Sequence, residues 1–280
     1  MMSMALVAST IIVISTTSVL LWWGVLLMMS VMFLAYIKHT EDSSLLKYFV
    51  IQEFAGMILG FLLLAGYQGM LINILIMIKL AVAPFHFWLI TAIEHMSNMG
   101  FAWATTFQKL PGALMLLQLM NPSTMILLAI GTLYSVLHLF TITTAKGIIL
   151  ISSTTTLGWI LFLQAKNWMY SAFILMGYLS LMMLILTTTN SKNMEVSMGL
   201  VITLLNWPLS FIFIIKATFF MNISEMSIVF ATATLWSSYL AAISYFCMLT
   251  NIQKVQEDMH FPLSKLYYAL NLIVLFILIR

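Results

Sequence analysis

Four ionisable residues lie inside long apolar runs of this 280-residue chain. Lys79, Lys109 and Lys216 have apolar residues on both sides, and Glu53 comes five residues after Tyr48, where another apolar run begins. An ionisable side chain at bilayer depth costs at least a few kcal/mol, so each is a functional candidate. The alternative is a side chain that snorkels to the surface or tethers two helices, and Glu53 fits it best because it lies near a helix end.

The three lysines predict a proton relay. A lysine in a low-dielectric site can be switched between its charged and neutral forms by a neighbouring charge, which is what a relay requires. Two of the lysines also lie near prolines, Lys109 two residues before Pro111 and Lys216 eight residues after Pro208. Proline removes an amide donor and frees a carbonyl, and transporters use such broken helices to meet ions. We therefore expect broken helices near both prolines, with an ordinary kink as the alternative.

His138 is a candidate relay residue, because it lies inside a predicted helix. A single histidine within a membrane more often makes a structural hydrogen bond than carries protons, and both readings stay open. His86 follows a predicted helix break, and His39, His95 and His260 belong to predicted loops.

No metal or cofactor site is predicted in this chain. Its single cysteine, Cys247, excludes an internal disulfide, a cysteine-based zinc site and an iron–sulfur cluster. His138 has no second ligand at helical spacing, and the chain contains neither a GxGxxG nor a GxxxxGKS/T phosphate-binding loop. We expect the chain itself to bind no nucleotide and to carry no electrons.

The composition predicts an all-α polytopic membrane protein, with residues 1–280 forming a single transmembrane domain. Hydrophobic residues make up 63% of the chain and charged residues only 7%, whereas a soluble domain carries about a quarter charged residues. The mean hydropathy is +1.09. Uniformly apolar runs of about 20 residues fit membrane-crossing helices, since barrel strands would alternate. The net charge of +3 comes mainly from basic residues between these runs and does not indicate nucleic-acid binding.

Break signals between the apolar runs predict eleven helices. The division between the first two depends only on a Ser/Thr cluster, so one long bent helix is the alternative there. The predicted ranges are 3–16, 19–37, 46–67, 70–84, 99–118, 124–144, 147–164, 168–188, 196–220, 226–250 and 262–279.

The loop charges predict the orientation. Alternation through eleven spans assigns every loop to one of two sides, and the side richer in Lys and Arg faces the interior. Lys166 and Arg280 fall opposite the N-terminus. The N-terminus is therefore predicted inside and the C-terminus outside. The basic residues on the N-terminal side are Lys38, Lys47, Lys146, Lys192, Lys254 and Lys265.

Four short motifs follow one another along the chain. Lys79 to Trp88 reads KLAVAPFHFW, and residues 106–111, 151–159 and 208–216 read TFQKLP, ISSTTTLGW and PLSFIFIIK. In order and spacing they resemble KLGxAPFHFW, TWQKxAP, YSSIxHxGW and PPLxGFLPK of the NADH dehydrogenase subunit 2 family of mitochondrial complex I. The resemblance extends over roughly residues 20 to 220, and the short length indicates a nematode-like form.

The resemblance implies an antiporter-like fold that lacks N-terminal helices, placed in the mitochondrial inner membrane with its N-terminus in the matrix and its C-terminus in the intermembrane space. It implies a part in proton translocation coupled to electron transfer from NADH to ubiquinone, with other membrane-arm subunits of complex I and membrane lipids as partners. NADH, FMN, iron–sulfur clusters and ubiquinone would bind elsewhere in the complex. Lys79, Lys109 and Lys216 match the family's three intramembrane lysines.

The chain departs from the family pattern at several positions. Leu26 stands where the family has the glutamate that pairs with the first lysine, Thr156 replaces a histidine, and Ile212 and Ile215 replace glycine and proline. Because the acid is missing, we expect Glu53 to pair with Lys79 in its place. The alternative is that Glu53 lies near the surface and binds Lys47 or a partner subunit.

Two other functions fit the same residues. A freestanding secondary cation/proton antiporter would use the same buried charges and broken helices, and would act without partners. A purely structural membrane subunit of complex I is the other alternative, which the missing acid favours.

Overall fold

The computed structural model describes residues 2–37, 42–67, 69–93, 96–142, 144–163, 168–188, 210–222, 232 and 235–245, and its regular secondary structure in these ranges is helical. Residues 235–245 are helical as well. A 3-10 turn, Phe107–Lys109, comes directly before the helix that begins at Leu110. The helices are α1 (Met2–Ser15), α2 (Val19–Ile37), α3 (Asp42–Leu64), α4 (Met70–Leu80), α5 (Phe87–Ile93), α6 (Asn98–Thr105), α7 (Leu110–Leu119), α8 (Pro122–Leu139), α9 (Ala145–Phe162), α10 (Trp168–Thr188) and α11 (Phe211–Asn222).

The division of the first apolar stretch into two helices is confirmed. α1 ends at Ser15 and α2 begins at Val19. The Thr16 hydroxyl donates back to the carbonyl of Ile12 at 2.7 Å, and the Thr16 carbonyl accepts from the Trp22 indole at 3.0 Å. The Ser/Thr cluster thus closes the end of one helix and ties it to the next.

The predicted helix 70–84 is wrong at its C-terminal end. α4 ends at Leu80 because Ala81 takes up the left-handed conformation with φ of 48°. The Ala81 amide then binds carbonyls of the last turn, as in a helix cap. The chain turns and begins α5 at Phe87, a short helix that the sequence pattern did not predict.

The predicted helix 99–118 is broken, as expected near Pro111. The backbone leaves helical geometry at Thr106, with φ of −116° and ψ of −85°. After the 3-10 turn α7 begins at Leu110, with Pro111 in its first turn, where a missing amide donor costs nothing. The break expected near Pro208 and the predicted helix 262–279 lie outside the described residues. Of the predicted helix 226–250, the structure describes residue 232 and residues 235–245.

The centre of the described part is α7. It packs against α1, α2, α4, α9 and α10, and residues 110–117 are all buried. α8 pairs with α9, and α11 packs on α9 and α10. Two described helical stretches, Leu46–Leu64 and Pro122–Leu139, are long and apolar enough to cross a membrane, and the other apolar helices are shorter. Large apolar side chains such as Phe61 and Leu64 point outwards, 71% and 77% exposed.

Candidate functional site

Lys79 lies in the last turn of α4 and is 7% exposed. Its ammonium nitrogen lies over Gly56 of α3, where a β-carbon would come within 2.9 Å, so the glycine provides the space it occupies. The Gln52 amide donates to the Lys79 carbonyl at 2.7 Å and holds the end of α4 against α3. The Lys79 nitrogen itself has no hydrogen-bond partner in the described part of the chain.

Glu53 lies on α3 and is half-buried. It accepts a hydrogen bond from the Ser30 hydroxyl of α2 at 2.8 Å. Its carboxylate lies close enough to Lys79 for the two to interact electrostatically, but the two are not hydrogen-bonded. Leu26, at the family's acid position, is buried and its methyl group lies against Gly112 of α7. Pairing of Glu53 with Lys79 therefore stays a prediction, and the bond to Ser30 was not foreseen.

Lys109 closes the 3-10 turn at the helix break and is 3% exposed. Its ammonium donates to the Ser153 hydroxyl of α9 at 3.2 Å, and that hydroxyl donates in turn to the Leu150 carbonyl at 2.8 Å. The hydroxyl thus accepts from the lysine while its own hydrogen is donated to the helix backbone, so the partner of Lys109 carries no charge.

Ser153 belongs to a run of five buried hydroxyl residues on α9, residues 152–156. Two members of the run reach other helices. Thr156, at the family's histidine position, donates to the Tyr178 hydroxyl of α10 at 2.6 Å, and the Tyr245 hydroxyl donates to Ser152 at 2.6 Å. In the sequence this run appears only as part of the motif ISSTTTLGW. Five successive hydroxyls in an apolar helix were the signal that polar contacts are buried there.

Lys216 lies on α11 and is 8% exposed. Its ammonium is 5.8 Å from the centroid of the Trp159 ring on α9, within the range of a cation–π contact. It also lines a cavity of about 950 Å³ between α11 and residues 235–245, with Phe213 and Trp236 among the other lining residues. The three predicted lysines thus lie on three different segments, each buried.

His138 lies beside a second histidine, His86. Its Nδ1 lies 3.0 Å from Nε2 of His86, so one ring donates and the other accepts. His86 is fully buried in the turn after α4, and His138 is half-buried in the last turn of α8. Lys109 lies close enough to interact electrostatically with His86. The sequence does not reveal the pair, because its members are separated by 52 residues and share no helix.

Metal ligation has no support among the residues that the structure describes, since no group of three or more His, Cys, Asp or Glu side chains could hold an ion there. The site is instead a set of buried cations and hydroxyls, with one half-buried carboxylate. Buried groups of this kind can hold and release protons.

The comparisons with known proteins identify the family. No family model matches the chain. It is 30% identical over 226 residues to NADH-ubiquinone oxidoreductase chain 2 of Caenorhabditis elegans, an alignment that covers 79% of this chain and 76% of that protein. The chain belongs to the NADH-ubiquinone oxidoreductase chain 2 family. It is also 32% identical over 194 residues to chain 2 of Ascaris suum, covering 68% of this chain and 62% of the relative.

Other chain 2 proteins match shorter stretches, such as that of Branchiostoma lanceolatum, 30% identical over 139 residues. Since the two longer alignments are both to nematode proteins, the resemblance to a nematode-like subunit 2 is confirmed.

Proposed function

We propose that this chain is a membrane-arm subunit of respiratory complex I that takes part in proton translocation coupled to electron transfer from NADH to ubiquinone. Membership of the chain 2 family supports the assembly. The observation that carries the proton function is Lys109, a buried lysine placed in a helix break and bonded to a buried hydroxyl. Such an arrangement does not stabilise the fold, because burying a charge is costly.

We place the chain in the mitochondrial inner membrane as a polytopic, antiporter-like subunit. Exposed apolar side chains around the described helices support contact with lipid or with other apolar helices. The partners are other membrane-arm subunits and membrane lipids. NADH, FMN, iron–sulfur clusters and ubiquinone are assigned to the rest of the complex, so this subunit has no redox step of its own.

In this function the residues of the chain hold and pass protons. Lys79 has room above Gly56 and a carboxylate nearby, so the charge on Glu53 biases whether Lys79 holds its proton. Lys109 exchanges its proton through Ser153 and the hydroxyl run of α9. Lys216, over the Trp159 ring of α9, forms the third station.

A structural subunit remains the second candidate, because Leu26 replaces the family's acid and packs as an apolar residue. A freestanding antiporter has weaker support, since the relatives are named as chains of a larger oxidoreductase.

Purification in mild detergent tests the assembly. We expect the chain to copurify with a large complex that oxidises NADH and reduces ubiquinone. A stable monomer that carries cations across vesicles without partners would instead identify a freestanding antiporter.

A further inference from the structure

Three buried polar atoms, one each on α3, at the end of α4 and in the 3-10 turn, meet no hydrogen-bond partner among the residues that the structure describes. They are the Tyr48 hydroxyl, the Lys79 ammonium nitrogen and the side-chain carbonyl oxygen of Gln108. Folded proteins leave few buried polar atoms unpaired, because each one loses its hydrogen bonds to water. Three unpaired buried atoms, each on a different segment, therefore require an explanation.

Tyr48 is held firmly, so its hydroxyl has a defined position. The side chain is 2% exposed, and its ring packs against Phe33 at 4.9 Å and Trp88 at 5.7 Å between centroids. The Trp88 indole donates to the Ile78 carbonyl at 3.0 Å, directly before Lys79. The tyrosine is thus fixed against the same end of α4 that carries the lysine.

Tyr48 also shares a face of α3 with the residues that contact Lys79. Gln52, one turn later, binds the Lys79 carbonyl, and Gly56, one further turn on, lies under the Lys79 nitrogen. Glu53 lies close enough to interact electrostatically with both Tyr48 and Lys79. The Glu53 carboxylate is therefore within electrostatic reach of both the tyrosine and the lysine.

Gln108 comes close to Tyr48 from the 3-10 turn. Its side chain approaches the Tyr48 hydroxyl, although neither the hydroxyl nor the Gln108 oxygen completes a hydrogen bond. Gln108 directly precedes Lys109, so the same turn carries both the acceptor and the second lysine. A small molecule between Tyr48 and Gln108 that both donates and accepts would satisfy both of their unpaired atoms, and water is the smallest that does so.

We propose that Tyr48 and Gln108 hold ordered water beside Lys79, and that Tyr48 is a positioning residue for proton exchange between the Lys79 site and the turn carrying Lys109. The inference rests on the proposed function and extends it to two residues outside the three lysines. The tyrosine hydroxyl both donates and accepts, whereas the Gln108 oxygen only accepts, so the two orient a bridging water.

The test replaces Tyr48 by phenylalanine in the intact complex, which removes the hydroxyl and keeps the ring. We expect Tyr48→Phe to assemble normally and to oxidise NADH with a hydrophilic artificial acceptor at the normal rate. Its coupled quinone reduction should fall about fivefold, the loss of one hydrogen bond at a transferring site. The pH profile of coupled turnover should also move, while the KM values for NADH and quinone stay unchanged.

The matched control is Tyr67→Phe, which removes a hydroxyl from a tyrosine that is 42% exposed. If Tyr48 is only a packing residue, Tyr48→Phe will match this control in turnover and pH profile, because removing an unpaired buried hydroxyl is neutral or stabilising. That result overturns the inference. If replacing Lys109 lowers coupled turnover but replacing Tyr48 does not, only this inference fails. If neither replacement changes coupled turnover, the proposed function fails as well.

A density map of the unmodified complex decides the matter even if the variant does not assemble. We expect water density within hydrogen-bond distance of both the Tyr48 hydroxyl and the Gln108 oxygen. A map in which the region is dry, or in which the two side chains bond directly to each other, contradicts the proposal.

Discussion

Lys109 is buried where the chain stops being helical, and that position explains how a charge can be tolerated there. The break between α6 and α7 leaves the lysine in a 3-10 turn facing α9. Its partner is a neutral hydroxyl, Ser153, rather than an acid. A neutral partner lets the lysine gain or lose its proton without leaving a second buried charge unpaired.

Replacing Lys109 by methionine should lower pumping-coupled quinone reduction by about tenfold while the complex still assembles, because volume is kept and the proton site is lost. The measurement is coupled NADH:ubiquinone turnover together with proton uptake in sealed vesicles. Lys47→Met is the control, since Lys47 is exposed. Normal coupled turnover with full assembly would count against a relay, and loss of assembly would favour the structural subunit.

Glu53 has two possible roles that a single substitution separates. Glu53→Gln removes the charge but keeps an oxygen that can accept from Ser30, so the hydrogen bond at 2.8 Å survives. We expect coupled turnover to fall in Glu53→Gln and to stay normal in Ser30→Ala, which removes the bond and keeps the charge. The opposite pattern would show that Glu53 serves only to join α3 to α2.

The pairing itself can be measured in a map of the complex. A Glu53 carboxylate more than about 8 Å from the Lys79 nitrogen, with no water between them, would exclude the pair, because charges so placed are weakly coupled. In a double-mutant cycle, paired residues should lose less activity together than the sum of the single losses.

At the scale of elements, the end of α4 carries backbone strain. Ala81 has φ of 48°, a conformation that suits glycine, and the family signature has glycine at this position. Ala81→Gly should stabilise the turn by about 1 kcal/mol, seen as slower hydrogen exchange of the amides at the end of α4. Ala83→Gly, at a residue without positive φ, serves as the control and should not slow exchange.

The histidine pair joins α8 to the turn after α4, and its loss should weaken the contact between them. His138→Phe leaves the buried His86 nitrogen without its partner, which should destabilise this contact by about 1–3 kcal/mol. His138→Gln keeps a polar partner and should restore thermal stability of the complex. If the pair carries protons, coupled turnover will remain low in His138→Gln. Normal turnover there would assign the pair a structural role.

At the scale of the whole molecule, the orientation is open to direct measurement. The six-to-two distribution of basic residues predicts that the N-terminus is reached only from the matrix and the C-terminus only from the intermembrane space. Tags at the two ends, probed by protease in intact and opened inner-membrane vesicles, measure this. Both termini on one face would exclude a topology with eleven spans.

Several features of this protein followed from the sequence by itself. The helical class, the division near Thr16 and the break near Pro111 are local, because they depend on apolar run length, side-chain bonds to the nearby backbone and the missing amide of proline. The burial of the three lysines followed in the same way, since apolar neighbours surround each of them along the chain.

Only the tertiary structure decided which groups meet. Ser153 binds Lys109 across 44 residues, His86 meets His138 across 52, and the end of α4 depends on the backbone of Ala81. In a chain whose helices are apolar on nearly every side, periodicity does not say which face turns towards which neighbour. Packing of side chains such as Trp23 against Gly60 sets the rotation of each helix about its axis. That rotation determines which partners the buried polar atoms meet.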